Sequence, residues 1–465
     1  MTAEPQQYQP TLESVARHPL PDWYADAKLG IFVHWGLYSV PGWAASRSDP
    51  YSIIAAGGFE KLFRENPYAE WYLNTLKFAD APTRAYHDRT FGAHVAYEDF
   101  QPIFERESRR WVADEWAQLF EQAGAGYVVL TAKHTDGYLL WPSQVGNIGR
   151  VGYLSPRDLV GELVTAARAR GLRAGLYYTG GMDWLLNPER IDAPEKIYST
   201  IVDGPQYAAY ADAHWRELID RYQPSLLWGD IMYARGANPL ELFAYYYNRV
   251  ADGVINDRFA TTYTPPQRLG LQPPGIHYDF LTPEYASFDA IQAEKWETCR
   301  GISSSFGFNR ADDADSYLSA DAVVRLLIDI VSKNGNLLLN VGPCADGSIH
   351  DLQRQCLLGL GAWLQVNGEA IRGTRPWHRA ESVTAAGVQI RFTCKGNALY
   401  ALLLDTPREG EVRIREVPAT PGATVSLLGC DQPLHWRRDG DDLIVQLPVP
   451  LPDRAAHVLK LSPQD

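Results

Sequence analysis

Polar and aromatic side chains that could bind or cleave a ligand lie where several short apolar runs of this chain end. Asp230 follows the apolar residues Leu226-Leu227-Trp228, which are typical of a strand buried on both faces. A carboxylate there stabilises a core poorly, because an unpaired buried charge is costly, but it can act on a ligand at the strand's rim. An Asp that caps the following loop is the alternative interpretation. Four more such residues end or follow predicted strands: His34, His134, Tyr177 or its neighbour Tyr178, and Arg258.

Glycoside hydrolysis fits these residue types, because it needs two carboxyl groups and neighbours that hydrogen-bond sugar hydroxyls. Asp230 supplies one carboxyl group, and Glu284, Glu297 and Glu70 compete for the second. Residue type alone does not rank the three. The segment 261–285 contains five prolines and few strand signals, which predicts a long loop over the rim that holds Asp230. Glu284 lies at the end of that predicted loop, and this position favours it as the general acid/base.

Helices alternate with short apolar strands through most of the chain, which indicates a parallel sheet with right-handed crossovers. Six or more such units favour a (β/α)8-like TIM barrel within an α/β fold, and no strand is followed by G-x-G-x-x-G. The active site is then expected at the carboxyl ends of the strands. Residues 41–105 are expected to be irregular. The predicted strands are 28–35, 127–134, 174–178, 224–230, 254–258 and 336–342; the predicted helices are 112–123, 156–170, 206–222, 239–250 and 320–332.

The pattern changes after about residue 373, where short and often alternating strands are separated by Gly, Pro and Asp. This indicates an all-β sandwich. The sequence therefore predicts a catalytic barrel domain over residues 1–372 and a C-terminal β-sandwich domain over residues 373–465. The second domain has no cluster of catalytic side chains, and a packing role is favoured over glycan binding.

Composition excludes several classes of partner. A formal net charge of −13 disfavours nucleic acid and anionic membrane surfaces. Five cysteines without a C-x-x-C pair indicate neither a disulfide framework nor a zinc site. The amino terminus lacks a basic start with an apolar run, and no stretch of about 18 apolar residues exists. A cytoplasmic protein is expected.

Seven motifs resemble, in the right order from about residue 20 to residue 375, those of the α-L-fucosidases of glycoside hydrolase family 29. The last motif is long and specific, and the C-terminal β-sandwich agrees with the layout of that family. The motifs are Phe32-Val-His-Trp-Gly, Ala69-Glu-Trp-Tyr, Lys133-His-Thr-Asp-Gly, Leu176-Tyr-Tyr, Trp228-Gly-Asp, Trp296-Glu, and Val331-Ser-Lys-Asn-Gly-Asn-Leu-Leu-Leu-Asn-Val-Gly-Pro.

The resemblance implies retaining exo-hydrolysis of terminal α-L-fucosyl residues through a covalent fucosyl-enzyme intermediate, with no metal or other cofactor. Asp230 matches the nucleophile, and Glu284 matches the acid/base of one branch of the family. The expected partner is a fucosylated oligosaccharide or glycoconjugate, and assembly of several identical subunits is compatible with the sequence. Lys133 and Asp136 are expected to brace the site or to touch substrate. Positions that match sugar-holding residues are His34, Glu70, Trp71, His134, Tyr177, Trp228 and Arg258.

One position departs from the family pattern, because Thr135 stands where a second consecutive histidine is usual. A threonine hydroxyl reaches a sugar only through water or a shifted substrate. This leaves open a glycosidase for a related sugar, such as an α-L-galactoside. The sequence is also compatible with a catalytically idle glycan-binding protein, or with a metal-dependent hydrolase that uses His34, His134 and Asp230 as ligands. The chain lacks the H-x-H or H-E-x-x-H pattern that would favour the metal-dependent enzyme.

Overall fold

The computed structural model describes residues 7–262, 274–417, 419–420, 422–430 and 432–462. Seven parallel strands form the sheet of the larger domain, in the order β5-β4-β3-β2-β1-β7-β6. All but the first residue of β3 and one residue of β6 are buried, as expected for apolar strands with both faces covered. The strands are β1 (Leu29–Val33), β2 (Tyr127–Lys133), β3 (Arg173–Thr179), β4 (Leu226–Asp230), β5 (Val254–Ile255), β6 (Trp296–Gly301) and β7 (Gly335–Val341).

The sheet closes into a barrel between its two outer strands. Asn256, just after β5, forms a parallel bridge with Phe280, and Leu281 forms one with Trp296 at the start of β6. The segment 279–285 therefore occupies the eighth strand position, and the predicted (β/α)8-like barrel is confirmed. This segment was predicted to be part of a long loop; residues 263–273 of that loop lie outside the described residues.

Helices cover the outside of the barrel, and their amphipathic faces pack against the strands. The predicted helices agree with α7, α8, α10, α11 and α12. Three of these begin at side-chain caps: Asp158 accepts the Gly161 N–H, Asn238 accepts the Leu240 N–H and Ser319 accepts the Ala322 N–H. The helices are α1 (Leu12–Val15), α2 (Asp22–Ala27), α3 (Pro50–Arg64), α4 (Tyr72–Thr75), α5 (Pro82–Thr90), α6 (Gln101–Glu107), α7 (Ala113–Gln122), α8 (Leu159–Ala169), α9 (Pro194–Ser199), α10 (Pro205–Tyr222), α11 (Pro239–Tyr247), α12 (Ala320–Ser332) and α13 (Asp351–Asn367).

The segment 41–105 is largely helical, so the prediction of an irregular region there was wrong. It contains α3, α4, α5 and α6. Gly57 and Gly58 interrupt α3 with non-helical backbone angles, and proline occupies the first turn of α3, α5 and α6. The two glycines break the apolar period of α3, and the other three helices are too short to show the clear period on which a sequence-based prediction depends.

Two antiparallel sheets follow the barrel and enclose their own apolar core, as a β-sandwich does. The five-stranded sheet has the order β12-β15-β10-β9-β8, and the three-stranded sheet has the order β11-β14-β13. The sequence did not predict β8 or β13. The strands are β8 (Arg375–Val383), β9 (Gln389–Lys395), β10 (Ala398–Leu403), β11 (Glu411–Ile414), β12 (Thr424–Leu427), β13 (Trp436–Asp439), β14 (Asp442–Gln446) and β15 (His457–Ser462).

Candidate active site

One pocket opens at the carboxyl ends of the barrel strands, where the fold places binding residues. The nine residues predicted from the sequence as catalytic or sugar-binding all line it, although they come from distant parts of the chain. The rival carboxylate Glu297 and the divergent Thr135 do not line it. The nine are His34, Glu70, Trp71, His134, Tyr177, Trp228, Asp230, Arg258 and Glu284.

Asp230 is the last residue of β4, and both of its carboxylate oxygens accept hydrogen bonds. Arg258 Nη1 donates to Oδ1 over 2.7 Å, and the Tyr177 hydroxyl donates to Oδ2 over 2.7 Å. The backbone then turns sharply, because Ile231 and Met232 have φ angles of 48° and 69°. The left-handed region is strained for a β-branched residue such as Ile231, and strain of this kind gathers at functional sites.

Arg258 joins the two candidate catalytic carboxylates. Besides its bond to Asp230, its Nη2 lies 3.4 Å from Glu284 Oε2. The guanidinium is buried, stacks on the Trp228 ring at 4.5 Å, and donates to the Thr282 hydroxyl from Nε over 2.8 Å. These contacts fix the orientation of the guanidinium, so the two carboxylates are held against one rigid group.

Glu284 enters the pocket from the segment that closes the barrel. Its carboxylate Oε1 accepts from the Tyr68 hydroxyl over 2.8 Å, and its side chain is 27% exposed. The next residue, Tyr285, has a φ of 48° and donates its N–H to the Cys299 carbonyl of β6. Glu284 is thus held by the barrel wall itself and still faces the open side of the pocket.

Glu70 is almost wholly buried, and its Oε2 accepts the Gly307 N–H over 2.8 Å. Burial raises the pKa of Glu70 to about 8, and the nearby carboxylates Glu284 and Asp230 add to the rise. Burial therefore favours the protonated form of Glu70, which can donate a hydrogen bond to a ligand. Trp71 follows it at the end of the same short 3-10 helix.

Glu297 lies deeper in the barrel, near the amino end of β6, and accepts from three side chains. The Tyr24 hydroxyl donates over 3.0 Å, the Trp228 indole over 3.1 Å, and Tyr127 makes a further short bond. Burial raises the pKa of Glu297 to about 7. Its position beneath the pocket makes it a support for Trp228 rather than a group that could reach a ligand.

Two neutral histidines form one side of the pocket. Burial lowers the pKa of His34 to about 4. Burial, followed by the repulsion that two protonated imidazoles would exert on each other, lowers the pKa of His134 well below its usual value. His34 Nδ1 pairs with Asn340 Oδ1 at 2.6 Å, and His134 Nδ1 pairs with the Thr135 hydroxyl at 2.9 Å. In each ring this leaves Nε2 for a ligand.

Thr135 is fully buried and contacts His134 instead of the pocket. The sequence predicts a weakened sugar contact at this position. The structure gives it a different place, behind the histidine that lines the pocket. Thr135 therefore supports His134 from outside the pocket.

Tyr177 and Tyr178 point to opposite faces of β3, as neighbouring strand residues must. Tyr177 lines the pocket and stacks on His134 with 5.5 Å between ring centroids. The Tyr178 hydroxyl instead pairs with His214 Nδ1 at 3.0 Å, outside the barrel. Spacing alone favoured Tyr177 in the sequence, and the alternation of the strand explains why only Tyr177 lines the pocket.

Lys133 and Asp136 brace the loop after β2, and neither is among the residues that line the pocket. Lys133 Nζ lies 3.1 Å from Asp183 Oδ2 in a buried ion pair. Asp136 Oδ2 accepts from the Tyr97 hydroxyl over 2.7 Å. These bonds hold the backbone on either side of His134 and Thr135.

An apolar floor completes the pocket, and sequence reasoning missed part of it. Phe32, Tyr177, Trp228 and Phe306 pack around one another, with Phe32 5.0 Å from Trp228 and 6.4 Å from Phe306 between ring centroids. Phe306 and the Glu284 partner Tyr68 carried no signal of their own in the sequence. The period-2 spacing between Phe32 on β1 and His34 just after that strand was the one available clue to the floor.

Within the described residues, no group of three or more His, Cys, Asp or Glu is arranged to hold a metal ion. No helix in that part of the chain combines the length and apolar character that crossing a bilayer demands.

Family models and known relatives agree with this geometry. Residues 1–369 match the family model described as alpha-L-fucosidase, and residues 384–462 match that of the alpha-L-fucosidase C-terminal domain. An alpha-L-fucosidase of Branchiostoma floridae is 32% identical, over 98% of this chain and 96% of its own length. The tissue alpha-L-fucosidase of Rattus norvegicus is 32% identical, over 98% of this chain and 93% of its own.

Solved structures extend the similarity to the whole fold. The Thermotoga maritima alpha-fucosidase in complex with fucose is 39% identical with a TM-score of 0.85, covering 98% of this chain and all of the other. The same enzyme with a mechanism-based inhibitor gives 39% identity and a TM-score of 0.86 over the same shares. By barrel, pocket and sequence, this chain belongs to the α-L-fucosidase family.

Proposed function

We propose that this protein is a retaining exo-α-L-fucosidase, with Asp230 as nucleophile and Glu284 as general acid/base. The observation that carries the proposal is the Arg258 guanidinium, which contacts both carboxylates from adjacent nitrogens at 2.7 and 3.4 Å. One guanidinium is small, so both carboxyl groups lie in the same short span. Retaining glycosidases need their two carboxyl groups only about 5–5.5 Å apart.

In the first step, a carboxylate oxygen of Asp230 attacks the anomeric carbon while Glu284 gives its proton to the departing glycosidic oxygen. The bond from that carbon to the oxygen breaks, and an ester to Asp230 forms. Arg258 and Tyr177 each bond one oxygen of Asp230, which holds the carboxylate in place for the attack. The alcohol then leaves through the open side of the pocket.

In the second step, the Glu284 carboxylate takes a proton from water as the water oxygen attacks the same carbon. The ester bond breaks, Asp230 leaves as a carboxylate, and fucose is released with its original anomeric configuration. Glu284 is again protonated. Its 27% exposure is consistent with access for water and for the leaving alcohol.

Recognition of fucose combines polar and apolar contacts. Glu70, Trp71, His34 and His134 offer hydrogen-bonding groups for the ring hydroxyls. Fucose differs from galactose in bearing a methyl group in place of a hydroxymethyl group at C6. The aromatic floor around Phe32 and Phe306 suits that methyl, whereas a buried hydroxymethyl without a partner would cost about 1–3 kcal/mol. The floor therefore favours a fucoside over an α-L-galactoside.

The test replaces the nucleophile and follows the product. Asp230→Ala should lower turnover of an aryl α-L-fucoside by more than about 10³-fold, and azide should restore part of it by entering the vacated space. The exposed Asp289→Ala is the matched control. Proton NMR on the unmodified protein should detect α-L-fucose first. Near-normal activity of folded Asp230→Ala, or β-L-fucose as the first product, would refute the proposal.

The compartment and assembly of the protein are part of the proposal. All five cysteines are free, which favours a reducing compartment such as the cytoplasm. Fractionation of cells that express the protein tests this, and enrichment outside the cytoplasm would contradict it.

We propose that several identical subunits assemble in solution, and light scattering that gives the 52.1 kDa mass of one chain would contradict it.

A further inference from the structure

Two short helical stretches face the mouth of the pocket above the proposed catalytic carboxylates. The second half of α3 contributes Phe59, Leu62 and Phe63, and α9 contributes Pro194, Ile197 and Tyr198. We call these six residues the mouth wall. None of them is among the residues proposed to hold fucose, yet all line the same pocket.

The sequence of each stretch directs one side towards the pocket. In both, the three mouth-wall residues have i, i+3, i+4 spacing, which places them on one side of a helix. Gly57 and Gly58 break α3 just before Phe59, and Gly58 has a φ of 72°, which only glycine adopts readily. The break lets the second half of α3 turn its apolar side to the pocket. Lys196 of α9 pairs with Asp192 at 2.9 Å.

The mouth wall is almost purely hydrocarbon. Of its six side chains only Tyr198 carries a polar atom, and Phe59 is 40% exposed although it is large and apolar. A sugar in this place would bring several hydroxyls that the wall cannot bond, and desolvating unpaired hydroxyls is costly. An alkyl chain or an aromatic ring would instead remove apolar surface from water on both sides.

We propose that the mouth wall is the subsite for the leaving group, and that it selects apolar aglycones. The inference rests on the proposed fucosidase function and names the substrate class of that site: α-L-fucosides of alkyl or aryl alcohols. The apolar part of the aglycone lies between α3 and α9, while its glycosidic oxygen faces Glu284 below.

The test compares substrates that differ only in apolar surface. Methyl and octyl α-L-fucosides release alcohols of nearly equal acidity, so the chemistry of departure is matched. The kcat/KM ratio of octyl to methyl should be about ten or more in the unmodified protein, largely through KM. Phe59→Ala and Ile197→Ala should each lower that ratio several-fold. Phe59→Leu keeps an apolar side chain and should retain most of it.

Leu12→Ala, at an exposed apolar residue in α1 outside the pocket, is the matched control and should keep the ratio. Equal loss on both substrates in Phe59→Ala, or an octyl to methyl ratio near one in the unmodified protein, would overturn the subsite. α-L-Fucosyl fluoride has almost no aglycone and separates the two proposals. If the unmodified protein hydrolyses the fluoride but has a ratio near one, only the subsite fails; if it does not hydrolyse the fluoride, the fucosidase function itself fails.

Discussion

Contact with Arg258 divides the acidic residues in and beneath the pocket into two groups. Glu70 and Glu297 are buried, and burial raises their pKa values to about 8 and about 7. Asp230 and Glu284 instead share the cation of Arg258, and Glu284 keeps 27% of its side chain exposed. The proposed reaction uses Asp230 and Glu284, whereas Glu70 holds a ligand and Glu297 supports the pocket wall.

The assignment of the proton donor has a kinetic signature. Glu284→Ala should hurt a fucoside with a poor leaving group far more than an activated aryl fucoside, which needs little protonation; a difference of about 10²-fold or more is expected. Glu297→Ala and Glu70→Ala should affect both substrates about equally. Comparing kcat/KM on the two substrate types checks this. Leaving-group dependence in Glu297→Ala and not in Glu284→Ala would place the donor on β6.

Thr135 is predicted to act on sugar binding through His134. Thr135→Val keeps the shape of the side chain and removes the hydroxyl that pairs with His134 Nδ1. A net hydrogen bond contributes about 0.5–1.5 kcal/mol, so inhibition by fucose should weaken roughly two- to tenfold. Thr165→Val, at an exposed position of α8, is the control. An inhibition constant equal to that of the unmodified protein would show that the hydroxyl does not position the imidazole.

Strand β6 shows how one element supports the site from below. Its alternate residues Glu297 and Cys299 point into the barrel, as period 2 requires. The Glu297 carboxylate accepts a hydrogen bond from the Trp228 indole, and the Arg258 guanidinium stacks on the ring of the same tryptophan. The strand therefore contributes to catalytic geometry without lining the sugar site with its carboxylate.

Glu297 also predicts a pH dependence of stability. Because its pKa is raised from 4.5 to about 7, the stability that its protonated form provides is complete below about pH 4.5 and is lost as pH rises through about 7. The full effect is roughly 3 kcal/mol. Glu297→Gln cannot ionise, so its unfolding free energy should fall less between pH 5 and pH 8.

Urea unfolding of both proteins at the two pH values measures this difference. The exposed Glu409→Gln serves as control, because removing a charge in solvent should leave the pH dependence of the unmodified protein intact. Parallel pH profiles for Glu297→Gln and the unmodified protein would mean that Glu297 does not titrate in this range.

At the scale of the whole molecule, the five-stranded sheet joins two cores. Leu402 and Val458 pack with the barrel and its helices, whereas Leu403 and Leu459 pack into the sandwich. The Trp363 indole of α13 donates to the Ala456 carbonyl over 3.1 Å, and Arg391 pairs with Asp329 of α12 at 2.7 Å. The sheet thus covers the apolar outer side of α12 and α13.

We propose the domain boundary near residue 372, and truncation tests it. A chain that ends at residue 372 keeps every residue of the pocket but uncovers the apolar side of α13, including Trp363 and Leu364. It should be aggregation-prone, with a lower thermal midpoint than the full chain. Size-exclusion chromatography and thermal unfolding measure both. A fragment that does not aggregate and is as stable as the full chain would mean that the β-sandwich has another role, such as glycan binding.

The local sequence determined the elements that have a clear hydrophobic period and clear residues at their start or end. Helix α12 has a Ser cap and a regular apolar face, and β4 is a short apolar run that ends in Asp230. These local signals were enough to indicate a barrel, because alternating helices and buried strands have few other ways to pack. The ordered motifs then indicated the family and nine residues that the structure brings to one pocket.

The tertiary structure decided which side chains meet, because contact depends on closure of the barrel and not on distance along the chain. Sequence favoured Glu284 over Glu297 by its place at the end of a predicted loop and by its match to the family pattern. It could not show that the two carboxyl groups lie at different depths in the barrel, with Glu284 in the pocket and Glu297 beneath it. It could not show that Arg258 joins Asp230 to Glu284, or that Thr135 lies behind His134. Those relations arise when strands far apart in sequence bring their carboxyl ends to one rim.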